Sequence, residues 1–125
     1  MTLQGKSRLV AIVDDDDSIR DALAGLLKSV GLQSRAYASA ELFLQSDDQH
    51  QTACLIADIR MPGISGLELQ AKLNAENLDI PTIFITAHGD EALRMQALRA
   101  GAVEFLTKPF DDEVLLESVR AALDR

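Results

Sequence analysis

A single cysteine, Cys54, rules out any disulfide within the chain. It lies in an apolar run and reads as a small packed hydrophobe, with a reactive thiol as the minor alternative. No pair of His or Cys residues has zinc-site spacing. No apolar run is long enough to cross a bilayer, and the amino end lacks a signal-peptide core, so a cytoplasmic protein without membrane contact is expected. Cations are scarce: 12 Lys and Arg stand against 20 Asp and Glu, for a formal net charge of -8. Nucleic-acid binding leans on cationic surface, so direct binding by this chain is not expected.

Apolar residues make up 47% of the 125. That excludes a disordered chain and suffices for the core of one domain. Repeats, low-complexity segments and internal linkers are absent. Residues 1–125 therefore read as a single domain, with 1–7 as a polar, flexible lead-in.

Short apolar runs alternate with helical patterns. The first strand is expected within 8–13. A helix follows, capped by Asp16 or Asp17 and carrying Ile19, Ala22, Leu23, Leu26, Leu27 and Val30 on one face. Gly31 suits its left-handed terminator. Residues 33–37 read as a half-exposed edge strand. Ser39 caps a short helix, and 47–52 reads as a polar loop. A third strand over 53–57 leads to Asp58, the Pro62-Gly63 turn and a helix of about three turns from Gly66. A fourth strand over 82–85, a helix over 90–100 stopped by Gly101, and a fifth strand over 103–106 follow. Asp111 caps the final helix. Five such alternations predict an α/β fold: a doubly wound, flavodoxin-like, five-stranded parallel sheet of order 2-1-3-4-5, with helices on both faces.

That order places the switch point between the first and third strands, whose carboxyl ends carry Asp14, Asp15 and Asp58. Neighbouring strands are ~4.8 Å apart, so three carboxylates share one crevice. Their mutual repulsion calls for a cation, and an all-oxygen acidic site suits Mg²⁺, or Mn²⁺ in its place. Thr86 adds a hydroxyl at the fourth strand's end and Lys108 an ammonium at the fifth's. A carboxylate nucleophile, a metal, a cation and a hydroxyl suit phosphoryl transfer to Asp58. Singly, each residue also fits a plainer role. Asp14 to Asp17 fits a helix-start run, Asp58 a turn residue, Thr86 a local hydroxyl bond, and Lys108 a solvated surface charge. Their order at four strand ends favours the joint reading.

The Val13-Asp-Asp15 strand end, the Asp58-Ile-Arg-Met-Pro-Gly63 loop, the Thr86-Ala-His-Gly89 step and Lys108-Pro-Phe110 resemble the receiver domain of two-component response regulators. The likeness covers essentially the whole chain. His88-Gly-Asp90 and the run from Gly101 to Phe110 resemble the FixJ-like branch of transcriptional regulators. The resemblance implies that Asp58 accepts a phosphoryl group from a phosphohistidine on a sensor histidine kinase. It implies Mg²⁺ ligation by Asp15, Asp58 and the backbone carbonyl of Arg60, with Asp14 acting through a metal-bound water. It implies that Lys108 pairs with Asp58 before a cis bond to Pro109, and that Arg60 and His88 border the site and influence phosphate lifetime. Thr86 then moves toward the phosphoryl group and Phe105 turns inward, altering the face of the fourth helix, fifth strand and fifth helix. The plainer reading of Phe105 is a core aromatic.

On the fourth helix Leu93, Ala97 and Ala100 form one stripe and leave Met95 off it. Met95 is expected on a homodimer contact of the phosphorylated form. Relatives in this branch carry a DNA-binding output domain after the receiver, and none lies within these residues. The chain is expected to be a switch with slow autodephosphorylation rather than a turnover enzyme. Two other functions fit less well. An Asp-nucleophile phosphohydrolase ordinarily has a second Asp where this chain has Arg60. A flavin domain of similar topology needs a hydroxyl-rich loop after the first strand, where this chain is acidic.

Overall fold

The computed structural model describes residues 8–87 and 91–124. The lead-in of residues 1–7, His88 and Asp90 lie outside them. Five parallel strands form one sheet in the order β2-β1-β3-β4-β5. The strands are β1 (Leu9–Val13), β2 (Ser34–Tyr37), β3 (Thr52–Asp58), β4 (Thr82–Thr86) and β5 (Glu104–Thr107). The helices between and after them are α1 (Asp17–Ser29), α2 (Ala40–Gln45), α3 (Gly66–Ala75), α4 (Glu91–Arg99) and α5 (Asp112–Leu123). This is the doubly wound order expected from the alternation.

Every residue of β1 and β4 is buried. Such strands need apolar side chains on both faces, which is why they read as continuous runs rather than alternating ones. The sheet separates two cores. On one face Val10, Ile12, Cys54, Ile56, Ile83 and Ile85 meet α1 and α5 through Leu23, Leu27, Leu115 and Val119. On the other, Ala11, Leu55, Ala57 and Phe84 meet α2, α3 and α4 through Phe43, Leu69, Leu73 and Ala97. Each fully buried aliphatic side chain contributes about 1.5–3 kcal/mol relative to exposure. Cys54 is also fully buried in this core, and burial pushes its thiol up to about 12, so it is a core side chain and not a reactive thiol.

The helix ends follow local chemistry. Asp16 caps α1 by accepting from the Ser18 and Ile19 N–H groups, and Asp111 does the same for α5 with Glu113 and Val114. Ser39 caps α2 through Leu42 N–H. At the end of α1, Gly31 takes a φ of +80°, and the Gly31 and Leu32 N–H groups close on the Lys28 and Leu27 carbonyls. At the end of α3, Asn77 takes a φ of +59°, and the Asn77 and Leu78 N–H groups close on the Asn74 and Leu73 carbonyls.

Several expectations need correction. Residues 48–51, expected as part of a loop, form a turn of 3₁₀ helix. Its Asp48 is buried, where it accepts from the Tyr37 hydroxyl and, at 2.9 Å, from Arg35. A polar run can be drawn inward when its charge finds partners on a neighbouring strand. On α1, Ala22 and Val30 are exposed, and the face is buried chiefly through Leu23 and Leu27. On α4, Ala97 is buried and Leu93 half-buried, but Ala100 is exposed because the helix has already ended at Arg99.

Candidate functional site

Register brings the acidic residues together. Val13 of β1 pairs with Ala57 of β3, so the next residues, Asp14 and Asp58, emerge side by side at the carboxyl edge of the sheet. Asp58 in turn lies opposite Ile85 of β4, one residue before Thr86. Thr86 pairs with Thr107 of β5, and the Lys108 N–H donates to the Thr86 carbonyl at 2.7 Å. The four strand ends that carry Asp14, Asp58, Thr86 and Lys108 are thus adjacent.

Side chains complete the cluster. Carboxylate oxygens of Asp14, Asp15 and Asp58 lie within 4.8 Å of one another. Asp14 is fully buried at 0% exposure and Asp58 nearly so at 6%, whereas Asp15 is exposed. The Lys108 ammonium donates to Asp58 Oδ2 at 2.9 Å and to Asp14 Oδ2 at 3.0 Å. The expected Lys108–Asp58 pair is therefore part of a three-way contact. The Lys108–Pro109 peptide bond is cis.

Backbone groups hold the carboxylates in place. The Asp16 N–H donates to Asp14 Oδ1 at 2.9 Å, and the Arg60 N–H to Asp58 Oδ1 at 3.1 Å. Arg20 on α1 donates to the Asp14 backbone carbonyl at 2.7 Å and pairs with Asp17. Nothing in the local sequence marks Arg20 for this role, since its partner lies six residues back around the start of the helix. Gly66 N–H donates to the Ile59 carbonyl at 2.9 Å, closing the loop after Asp58. Ser65 and Glu68 add a reciprocal capping box at the start of α3. The Ser65-x-x-Glu68 spacing carries that signal openly.

Burial and neighbouring charge set the electrostatics of the cluster. Burial raises the Asp14 carboxyl above its ordinary value. The Asp16 N–H and Lys108 oppose that shift, while the Asp58 charge adds to it. Burial also works against the Lys108 ammonium, but hydrogen bonds and charge from Asp58 and Asp14 outweigh it and hold the amine above its ordinary value. One ammonium thus serves two of the three carboxylates, Asp58 and Asp14. Oxygen donors alone, close enough to share one ion, are what a hard divalent cation needs, so the residues fit Mg²⁺ or Mn²⁺.

Thr86 is fully buried at the end of β4. Phe105, expected to turn inward on activation, is already 7% exposed and packed in the core that contains Phe84. Without a hydroxyl it has no polar end to keep in water. The Arg60 residue is exposed, and Met95 on α4 is 40% exposed.

A family profile for the response regulator receiver domain matches residues 10–120. Nodulation protein W of Bradyrhizobium diazoefficiens is 48% identical over 117 residues, which are 94% of this chain and 52% of that protein. The transcriptional regulatory protein FixJ of Azorhizobium caulinodans is 46% identical over 116 residues, 93% of this chain and 55% of that protein. The chain spans about half the length of these curated relatives. Among solved structures, FixJ-N matches with a TM-score of 0.85 and 38% identity, covering 98% of this chain and 97% of that one. The response regulator StyR matches with a TM-score of 0.87 and 45% identity, covering 93% of this chain and 59% of that one. The chain belongs to the response regulator receiver-domain family, in its FixJ-like branch. Receiver domains are phosphorylation-activated signalling switches rather than turnover enzymes, and they work with sensor histidine kinases. Among the described residues no helix is long and apolar enough to cross a membrane.

Proposed function

We propose that Asp58 is the phosphoacceptor of a single receiver domain that takes a phosphoryl group from the phosphohistidine of a sensor histidine kinase. The observation that carries this reading is the Asp58 carboxylate, nearly buried at the sheet's carboxyl edge, with the Lys108 ammonium 2.9 Å away and Asp14 and Asp15 beside it. An Asp58 oxygen attacks phosphorus, the P–N bond breaks, and the electron pair leaves on the imidazole nitrogen. The carboxylate needs no base to act as nucleophile. Lys108 holds the carboxylate beforehand and then offsets charge on the phosphoryl oxygens. Mg²⁺ or Mn²⁺ bound by Asp15, Asp58 and the Arg60 carbonyl, with Asp14 in its outer sphere, would neutralise developing charge on those oxygens.

The acyl phosphate adds about -1.5 to -2 of charge and new acceptors, so it favours a state that brings donors to it. Thr86 is the donor nearest in sequence to the pocket's β4 edge. Its movement would be read out through Phe105 and the face of α4, β5 and α5. Output through a separate DNA-binding domain, and slow loss of the phosphate, complete the reading. It is tested by incubation with acetyl phosphate and Mg²⁺ followed by intact-mass measurement. One added phosphoryl group is expected, absent in Asp58→Asn and reduced without metal. Equal labelling of that variant would refute it.

Phosphorylation is further read as driving a homodimer through the α4–β5–α5 face. Met95, exposed on α4, supports this. Light scattering of Met95→Glu with a phosphate mimic tests it, and unchanged dimerisation removes Met95 from the contact.

A further inference from the structure

Glu41 stands on α2, a helix that contributes nothing to the cluster of acids, yet its carboxylate reaches the loop that follows Asp58. Its Oε2 accepts the Ile64 N–H at 3.2 Å across 23 residues of chain. Gly63 permits the approach. Its φ of +77° suits glycine, and a β-carbon there would overlap Glu41 Oε2. The other oxygen, Oε1, is buried and has no hydrogen-bond partner among the described residues. A carboxylate oxygen out of water and unpaired opposes folding. The position is thus a poor one for stability alone, and what it does supply is a grip on the loop.

That loop shapes the site. Its start is fixed by the Ile59 N–H on the Ile85 carbonyl at 3.2 Å, and its end by the Gly66 N–H on Ile59 and the Ser65 cap. Between these points Arg60 donates to Asp58 Oδ1. Pro62 and Gly63 are exposed, and Met61, Pro62 and Leu93 border an open groove of about 550 Å³. Glu41 holds this projecting stretch from a separate helix.

We propose that Glu41 is a positioning residue: by fixing Gly63 and Ile64 it keeps the 59–65 loop in the shape that sets the Arg60 backbone against Asp58, and so prepares the acidic pocket for a divalent cation. The inference rests on the reading of that pocket given above. It predicts that loosening a contact on α2 weakens a site to which α2 contributes no ligand.

The test uses metal-free protein first. Amide hydrogen exchange at Ile64 is compared with that at Ile12, a core amide that reports global opening. In Glu41→Ala the Ile64 amide should exchange about tenfold faster relative to Ile12, the scale of a hydrogen bond to a charged group. Mg²⁺ titration of the same variant should show affinity weakened by about threefold or more, as for groups that orient metal ligands. Glu41→Gln keeps an acceptor oxygen and should restore both quantities to within about twofold. Unchanged Ile64 exchange, faster exchange with unaltered Mg²⁺ affinity, or a Gln variant as impaired as Ala would each overturn the proposal. A wild-type protein that binds no Mg²⁺ would overturn the reading of the pocket as well, which separates the two failures.

Discussion

The Lys108 ammonium lies 2.9 Å from Asp58 Oδ2, a partner 50 residues earlier in the chain, and 3.0 Å from Asp14 Oδ2. One cation thus bridges two carboxylates that the sheet register forces together. Replacing it in Lys108→Ala should leave Asp58 as a nucleophile but remove the charge that meets the phosphoryl oxygens. Labelling by acetyl phosphate should slow by about 10²-fold, the scale of losing one such donor. Mg²⁺ affinity should hold or rise, because a competing cation has gone. A rate near wild type, measured by intact mass over time, would remove Lys108 from the chemistry.

Metal binding should be visible in stability. A ligand that binds only the folded chain adds about 2.7 kcal/mol at a hundred times its Kd. Thermal melts should therefore rise with Mg²⁺ and fall back with EDTA. In Asp15→Asn, which removes an exposed carboxylate of the cluster, most of that rise should vanish while the metal-free melt stays near wild type or above it. An undiminished Mg²⁺ response in this variant would place the ion elsewhere.

Gly66 sits against the backbone of Asp58. A β-carbon there would overlap the Asp58 carbonyl oxygen and stand 3.0 Å from Phe84 Cε1. Neither neighbour can yield easily, since one is backbone and the other a fully buried ring. Gly66→Ala should cost about 1–3 kcal/mol in denaturant unfolding, despite the better helix propensity of alanine. A neutral or stabilising result would mean that α3 can shift away from Asp58.

Asp48 should show in the acid limb of stability. The Tyr37 hydroxyl, against the effect of burial and with help from Arg35, holds its carboxyl below the ordinary value of 3.8. The unfolded chain therefore takes up the proton first on acidification. The stabilisation is present above the ordinary value and is lost as pH falls through the lower folded one. Asp48→Asn should melt below wild type near neutral pH, and the gap should narrow toward about pH 3. A gap independent of pH would assign the effect to packing.

Much of the fold was legible because its signals are local. Parallel strands buried on both faces leave continuous apolar runs, and Asp16, Ser39 and Asp111 sit where their caps form. The convergence of Asp14, Asp15, Asp58 and Lys108 followed from strand order, because each stands at or just past the carboxyl end of its strand. What escaped was held by distant partners. Asp48 looked like loop because Tyr37 and Arg35, which draw it inward, lie more than ten residues earlier on β2. Glu41 gave no sign because its partner is an amide 23 residues away. Arg20 touches a backbone carbonyl, which no side-chain pattern records. The Ser65 capping box was readable from its spacing, and it moves the helix signal one residue ahead of Gly66.

The most direct measurement is to locate the phosphoryl group after labelling with acetyl phosphate and Mg²⁺. Borohydride reduces an acyl phosphate to an alcohol, so peptide mass mapping of the reduced protein reads the acceptor as homoserine. The account predicts homoserine at Asp58 and nowhere else. Homoserine at Asp14 or Asp15, with Asp58 intact, would contradict it.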